Sequence, residues 1–217
     1  MIGDVIGRPG RRAVEAILPG LRDEYDIDLV VANGENSAAG FGLTVETAHE
    51  LFDSGVDVIT SGNHIWDQKE IIPYMDLDVP ILRPLNYPPN TPGKGWVSVN
   101  GILVVSLIGR VFVGNYDCPF RAMDKLIEQM GQSHKVILVD FHAEATSEKV
   151  AMGWYLDGRV GLVFGTHTHV PTADAEILPE GTGYITDLGM SGPYKSVLGR
   201  DKESVIQRFL DGIPRRF

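Results

Sequence analysis

The chain has 217 residues, 43% of them hydrophobic and 22% charged, which is an ordinary composition for a globular domain. Its formal net charge of −10 disfavours binding to the phosphate backbone of a long nucleic acid. A single cysteine, Cys118, excludes an internal disulfide and a thiolate-rich metal site. No apolar stretch reaches the roughly 18–20 residues of a membrane span, and the first residues lack the regions of a signal peptide. We therefore expect a cytoplasmic protein with no membrane partner.

The first half of the chain alternates between apolar strands and amphipathic helices. Thr44 is a suitable N-cap for a helix, and Gly55 stands where a left-handed residue is expected after that helix. After the apolar start MIGD (1–4), the pattern predicts a Gly-rich turn at 7–10, a helix near 11–24, a strand at 28–33, a helix at 44–55 and a strand at 56–61.

The second half begins with a long loop at 80–97 that is rich in Pro, Gly and Asn. Beyond it the pattern predicts strands near 98–108, 135–141, 160–165 and 182–186, and helices near 121–131, 145–156 and 202–210. Because near-continuous apolar strands bracketed by helices indicate a sheet covered on both faces, we predict an α/β fold. No repeat or linker divides the chain, so residues 1–217 are expected to form one domain.

Side chains that can bind metals follow the predicted strands, at the points where the apolar residues end. Four of the six histidines take part, together with carboxylates and side-chain amides. The full set is Asp4, Glu35, Asn36, Asn63, His64, His142, His167 and His169. In open α/β folds, ligands bind at the carboxyl ends of the strands, so we expect these side chains to converge.

Taken singly, the histidines support weaker conclusions. His142 alone is more often a satisfied strand-end residue than a ligand, and the spacing of His167 and His169 fits an ordinary loop as well as a metal site. If that segment is extended, both rings project from one face and reach one ion or two neighbouring ions. At the start of the helix near 145–156, three polar residues are expected to face solvent: Ser147, Glu148 and Lys149.

Donors from several segments together favour a metal site over structural histidines. Asn63 is in a position that suits a neutral oxygen ligand, and Glu35 offers a carboxylate that can bridge two ions. The donors exceed what one tetrahedral ion uses, and they suit two ions about 3.5–4 Å apart that activate water for attack on phosphorus. His64 then remains either to protonate the departing oxygen or to hydrogen-bond a phosphoryl oxygen, with Asp67 orienting its ring.

Several longer motifs resemble the YmdB-type family of calcineurin-like metallophosphoesterases almost from end to end. They are GDVIGRPGR (3–11), NGEN (33–36), GNHIWD (62–67), RPLNYPPNTPGKG (83–95), DFHAEATSEK (140–149), GTHTHVPTAD (165–174) and TDLGMSGPY (186–194). The resemblance implies a sandwich of two β-sheets flanked by α-helices. It also implies a dinuclear iron or manganese centre that hydrolyses small 2',3'-cyclic nucleotides to nucleoside 3'-phosphates by attack of a metal hydroxide on phosphorus.

The resemblance also assigns a role to each donor. Three residues would bind one ion: Asp4, Asn36 and His169. Three others would bind the second ion: Asn63, His142 and His167. Glu35 would bridge the two ions, and His64 would be the proton donor. Asn36 would replace the histidine that the wider superfamily carries two residues after the first aspartate, where this chain has Ile6.

Members of that family usually have additional apolar residues before the position of Met1 and further strands after the position of Phe217. The resemblance therefore implies a domain that lacks part of its first strand and its C-terminal strands, with Asp4 weakly anchored. Two alternatives stay open: a phosphomonoesterase or protein phosphatase on the same metal centre, and a non-catalytic regulatory protein that binds metal and nucleotide. The sequence also allows a homo-oligomer.

Overall fold

The computed structural model describes residues 1–130 and 133–215 of the chain. Within these stretches, short strands alternate with helices. In chain order the elements are β1 (Asp4–Val5), α1 (Gly7–Tyr25), β2 (Val31–Asn33), α2 (Val45–Asp53), β3 (Val58–Thr60), α3 (Ile71–Met75), β4 (Trp96–Val99), β5 (Ile102–Ile108), α4 (Pro119–Met130), β6 (Val136–His142), α5 (Thr146–Leu156), β7 (Leu162–Thr166), β8 (Glu176–Ile177), β9 (Gly183–Ile185), β10 (Met190–Ser191) and α6 (Lys202–Asp211).

Two β-sheets stack face to face in the middle of the fold. The larger sheet has the strand order β4, β5, β6, β7, β9, β8, with parallel pairing from β5 to β9 and an antiparallel strand at each edge. The smaller sheet contains the parallel pairs β2 with β3 and β1 with β10, joined by a parallel bridge between Ile2 and Ala32. Apolar side chains from both sheets form the core between them: Val31, Val58, Leu82, Val104, Leu138 and Phe164.

Helices cover the outer face of each sheet. Val14 of α1 and Leu51 of α2 pack against the smaller sheet, and Met123 of α4 and Met152 of α5 pack against the larger sheet. The layers are therefore helix, sheet, sheet and helix, which confirms the predicted α/β sandwich. Among the residues described, no helix is both long and apolar enough to cross a membrane.

The boundaries of the first two helices include one wrong and one confirmed prediction. The turn predicted at 7–10 is wrong, because these residues form the first turn of α1. Pro9 fits there because first-turn amides have no partner inside the helix. Helix α2 is capped as predicted: Thr44 Oγ1 accepts a hydrogen bond from Thr47 N at 3.1 Å, and Gly55 just after the helix has a φ of 101°.

The single strand predicted near 98–108 is wrong, because the chain folds there into an antiparallel hairpin of β4 and β5. Its turn is Asn100-Gly101, with φ angles of 52° and 81°. An Asn-Gly pair between two apolar runs is a sequence signal for this hairpin, since both turn residues need positive φ. The helix predicted near 121–131 corresponds to α4, and its predicted last residue, 131, lies outside the described residues.

Two glycine-to-alanine substitutions test the backbone conformation at Gly101, which has a positive φ, and at Gly20 inside α1. Gly101→Ala should lower the free energy of unfolding by about 1–2 kcal/mol, because φ is 81° while the nearest heavy atom would be 3.9 Å from the new Cβ. Gly20→Ala, inside α1 with nothing within 4 Å, should raise it by about 0.5–1 kcal/mol. Chemical denaturation measures both, and a change of the same sign in the two variants would contradict this description.

Candidate metal centre

All seven predicted metal ligands lie at one end of the sandwich, where strands of both sheets terminate. Asp4 lies in β1, and the others directly follow a strand or end it: Glu35 and Asn36 after β2, Asn63 after β3, His142 as the last residue of β6, and His167 and His169 after β7. These strands pair in parallel, so their carboxyl ends lie at the same edge of each sheet. Side chains from distant parts of the sequence are therefore brought together there. The structure thus produces the predicted convergence; binding of metal by these residues stays a prediction.

One group of donors surrounds the ring of His142. Its Nε2 lies 2.9 Å from Glu35 Oε1, 3.1 Å from Asn63 Oδ1 and 3.0 Å from His167 Nδ1. A ring nitrogen carries either one proton or one lone pair, so it cannot form three hydrogen bonds at once. A cation among these atoms would satisfy all four donors, since each has a lone pair that can point at it.

A second group surrounds the side-chain amide of Asn36. Its Nδ2 lies 3.5 Å from Asp4 Oδ1, 3.3 Å from His169 Nε2 and 3.4 Å from Glu35 Oε1. An amide nitrogen has two protons for these three acceptors, whereas a rotated amide would place Oδ1 among them as a ligand for a hard cation. Glu35 Oε1 belongs to both groups. This carboxylate therefore lies where a ligand shared by two ions is needed.

The electrostatics of the site favour positive charge. Burial disfavours an imidazolium, but the carboxylates of Glu35 and Asp4 raise the pKa of His142 to about 9. Burial also opposes ionisation of both carboxyl groups, yet His169 and His142 keep the pKa of Asp4 below its usual value, and His142 does the same for Glu35. Burial and the charge of His142 lower the pKa of His167 to about 3. The residues thus fit metal ions: ionised carboxylates, a neutral imidazole and a field that attracts cations.

A chain of buried hydrogen bonds orients His142. Its Nδ1 lies 2.9 Å from Thr166 Oγ1, which donates at 2.7 Å to Asp140 Oδ1; Asp140 Oδ2 also accepts from the hydroxyl of Thr60. Burial raises the pKa of Asp140 to about 6. Because Nδ1 is engaged by Thr166, Nε2 faces the other donors, as such support does for metal-binding histidines. Sequence reasoning missed these residues, although an acid inside the apolar run VILVDFH was a signal.

The turn after β3 brings His64 to the edge of the site. Gly62 is required there, because an added Cβ would lie 2.1 Å from His142 Cδ2. The backbone N of His64 donates to Glu35 Oε2 at 2.9 Å, and its ring Nδ1 lies 2.8 Å from Asp67 Oδ2, the contact that the sequence predicts. Among the described residues, Nε2 of His64 has no hydrogen-bond partner, so this nitrogen is available to a ligand.

The loop that carries His167 and His169 is not extended, so the predicted same-face geometry is wrong. Their φ angles are 100° and 64°, in the left-handed region that residues other than glycine seldom adopt. As a result the two rings separate: His167 joins the first group of donors and His169 joins the second. The other ring nitrogen of His167, Nε2, lies 3.0 Å from Glu144 Oε2, a further contact that sequence reasoning missed.

A buried ion pair holds this loop in place. Lys149 Nζ donates to Asp187 Oδ2 and, at 2.8 Å, to Thr166 O; the same Asp187 oxygen accepts from Thr168 N and Thr168 Oγ1 at 3.2 and 2.8 Å. The expectation that Lys149 faces solvent is wrong, since its exposed fraction is 1%. These hydrogen bonds hold the backbone of the loop in its unfavourable conformation.

Of the other two polar residues that were expected to face solvent at the start of α5, one is buried and one is exposed. Glu148 is buried rather than solvent-facing, because its carboxylate accepts hydrogen bonds from Arg110 N and Val111 N; Ser147 is exposed as predicted.

The expectation that Asp4 is weakly anchored is wrong. Its side chain is fully buried, its backbone N donates to Gly189 O at 3.1 Å, and its Oδ2 accepts from the backbone of the loop after β7 at 3.0 Å.

Comparison with known proteins gives one family and several close relatives. The family model described as YmdB-like protein matches residues 1–217. The 2',3'-cyclic-nucleotide 2'-phosphodiesterase of Bacillus subtilis (strain 168) is 52% identical over 221 residues, which cover 100% of this chain and 83% of that protein.

Two solved structures share the fold. A hypothetical protein from Thermus thermophilus matches with a TM-score of 0.94 and 50% identity, covering 100% of this chain and 85% of the other. A Mycoplasma pneumoniae protein described as a novel phosphatase matches with a TM-score of 0.92 and 38% identity, covering 100% and 80%.

Removal of the buried cation should show how strongly the loop depends on it. Lys149→Met should lower the free energy of unfolding by about 3–5 kcal/mol, because it leaves Asp187 buried without its partner. Lys94→Met, which breaks the exposed pair with Asp78, is the matched control and should leave stability nearly unchanged. Equal destabilisation of the two variants in urea denaturation would show that the buried pair has no special role.

Proposed function

This chain belongs to the YmdB-like protein family and is a phosphoesterase, and we propose that it hydrolyses 2',3'-cyclic nucleotides to nucleoside 3'-phosphates with two divalent metal ions. The observation that carries the proposal is the pair of donor groups that share Glu35 Oε1. The relative from B. subtilis, named as a 2',3'-cyclic-nucleotide 2'-phosphodiesterase, supports the choice of substrate.

The two ions would each take three side chains in addition to the shared carboxylate. One set is Asp4, Asn36 and His169; the other is Asn63, His142 and His167. With nitrogen and oxygen ligands and no thiolate, such a site suits iron or manganese. Bound ions would neutralise the phosphate and lower the pKa of water that attacks phosphorus.

His64 would supply the proton that the reaction needs. When water attacks phosphorus and the bond to the ribose 2'-oxygen breaks, that oxygen must gain a proton to leave as a hydroxyl. The ring nitrogen Nε2 of His64, which has no hydrogen-bond partner in the described part of the chain, would donate it, while Asp67 holds the opposite nitrogen at 2.8 Å. The backbone hydrogen bond from His64 to Glu35 keeps this turn beside the metal ligands.

Substitution of His64 tests the proposed division of roles. His64→Ala should keep both ions but lower kcat for 2',3'-cyclic AMP by about 10²–10⁴-fold, because it removes the acid and no metal ligand. His49→Ala, which removes an exposed histidine of α2, is the matched control and should keep full activity. Metal analysis and steady-state kinetics with added manganese measure these effects, and unchanged turnover of His64→Ala would refute the role.

The same assay distinguishes two other functions. The M. pneumoniae structure is described as a phosphatase, so simple phosphate monoesters are the relevant comparison. Faster hydrolysis of monoesters than of the cyclic nucleotide would favour a phosphomonoesterase or protein phosphatase. Metal binding without hydrolysis of either substrate would favour a regulatory protein that binds metal and nucleotide.

A further inference from the structure

A cavity of about 220 Å³ lies beside the candidate metal centre. Three segments form its walls: residues 6–9 at the start of α1, residues 39–41 after β2, and residues 198–201 before α6. His169 and Pro193 complete the lining. The volume is below the roughly 300–1,000 Å³ of pockets that hold a whole drug-sized ligand, so the cavity fits one part of a larger molecule.

Two contacts connect this cavity to the reacting groups. His169 lines the cavity while its Nε2 faces Asn36 and Asp4, at 3.3 and 3.6 Å. The ring of Phe41 stands edge-on against the ring of His64, with 5.2 Å between the centroids. A substrate whose phosphate lies among the metal ligands and next to His64 therefore has this cavity as an immediate neighbour.

The chemistry of the walls suits a flat heterocycle. Phe41 is 38% exposed, and the guanidinium carbon of Arg200 lies 4.2 Å from the centre of its ring. Aromatic rings and guanidinium planes both stack on nucleobases. The remaining lining is mostly apolar, with Ile6, Pro193 and Leu198.

We infer that this cavity binds the nucleobase of the substrate and that Phe41 is the side chain on which the base stacks. The inference rests on the proposed function, because it assumes that a cyclic nucleotide places its phosphate at the metal centre. An exposed aromatic ring next to the site of the phosphate matches the flat face of a base better than it matches the phosphate.

The test compares two substrates that differ only in the base. One is 2',3'-cyclic AMP, and the other is methyl β-ribofuranoside 2',3'-cyclic phosphate, which has the same cyclic phosphodiester without a base. The proteins are the wild type, Phe41→Ala, Phe41→Tyr, and Phe209→Ala as a matched control that removes an exposed phenylalanine from α6. All are assayed as the 217-residue chain with manganese.

For the wild type, kcat/KM should be about 10-fold or more higher for the nucleotide than for the base-free compound, because stacking contributes to its binding. Phe41→Ala should lose most of this preference, because its kcat/KM should fall by a larger factor for the nucleotide than for the base-free compound. Phe41→Tyr should restore the preference, since it keeps the ring, and Phe209→Ala should behave as the wild type.

Two results would overturn the inference while the proposed function stands. One is equal hydrolysis of the two substrates by the wild type. The other is an equal loss on both substrates in Phe41→Ala, which would mean that Phe41 acts by positioning His64. If the wild type hydrolyses neither compound, the proposed function fails and the base site fails with it.

Discussion

Two buried carboxylates, Asp4 and Glu35, set the main constraint on this structure. Both are almost completely shielded from water, and a buried negative charge is stable only beside positive charge or several hydrogen bonds. Two imidazoles and one side-chain amide contact them: His142 lies 2.9 Å from Glu35, His169 lies 3.6 Å from Asp4, and Asn36 lies within 3.5 Å of both carboxylates. The two sheets have to meet at their carboxyl ends for this compensation to occur, so the sandwich architecture and the site depend on each other.

The loop after β7 has an unfavourable backbone conformation. His167 and His169 both lie in the left-handed region, which separates their rings towards the two donor groups. Lys149 and Asp187 hold the loop through hydrogen bonds to Thr166 O and to the backbone and hydroxyl of Thr168. Strained residues of this kind persist when surrounding contacts over-determine them, and here they place one histidine in each donor group within three residues of sequence.

The sequence predicted the parts that depend on local pattern. Strand-end donors, the Thr44 cap and the contact of Asp67 with His64 all follow from spacing within a few residues. The burial of Lys149 could not be predicted in this way, because its partner Asp187 is 38 residues away and lies on another segment. The Asn100-Gly101 pair is a local signal for the hairpin, whereas the apolar residues on both sides of it favour a single strand, which the structure contradicts.

We propose that Glu35 is shared by two metal ions. Metal analysis of the purified protein and of Glu35→Ala, after loading with manganese and removal of free ions, tests it most directly. Glu128→Ala, which removes an exposed carboxylate of α4, is the matched control. We expect two ions per chain in the wild type and in the control, and fewer than two in Glu35→Ala. Retention of two tightly bound ions by Glu35→Ala would contradict it.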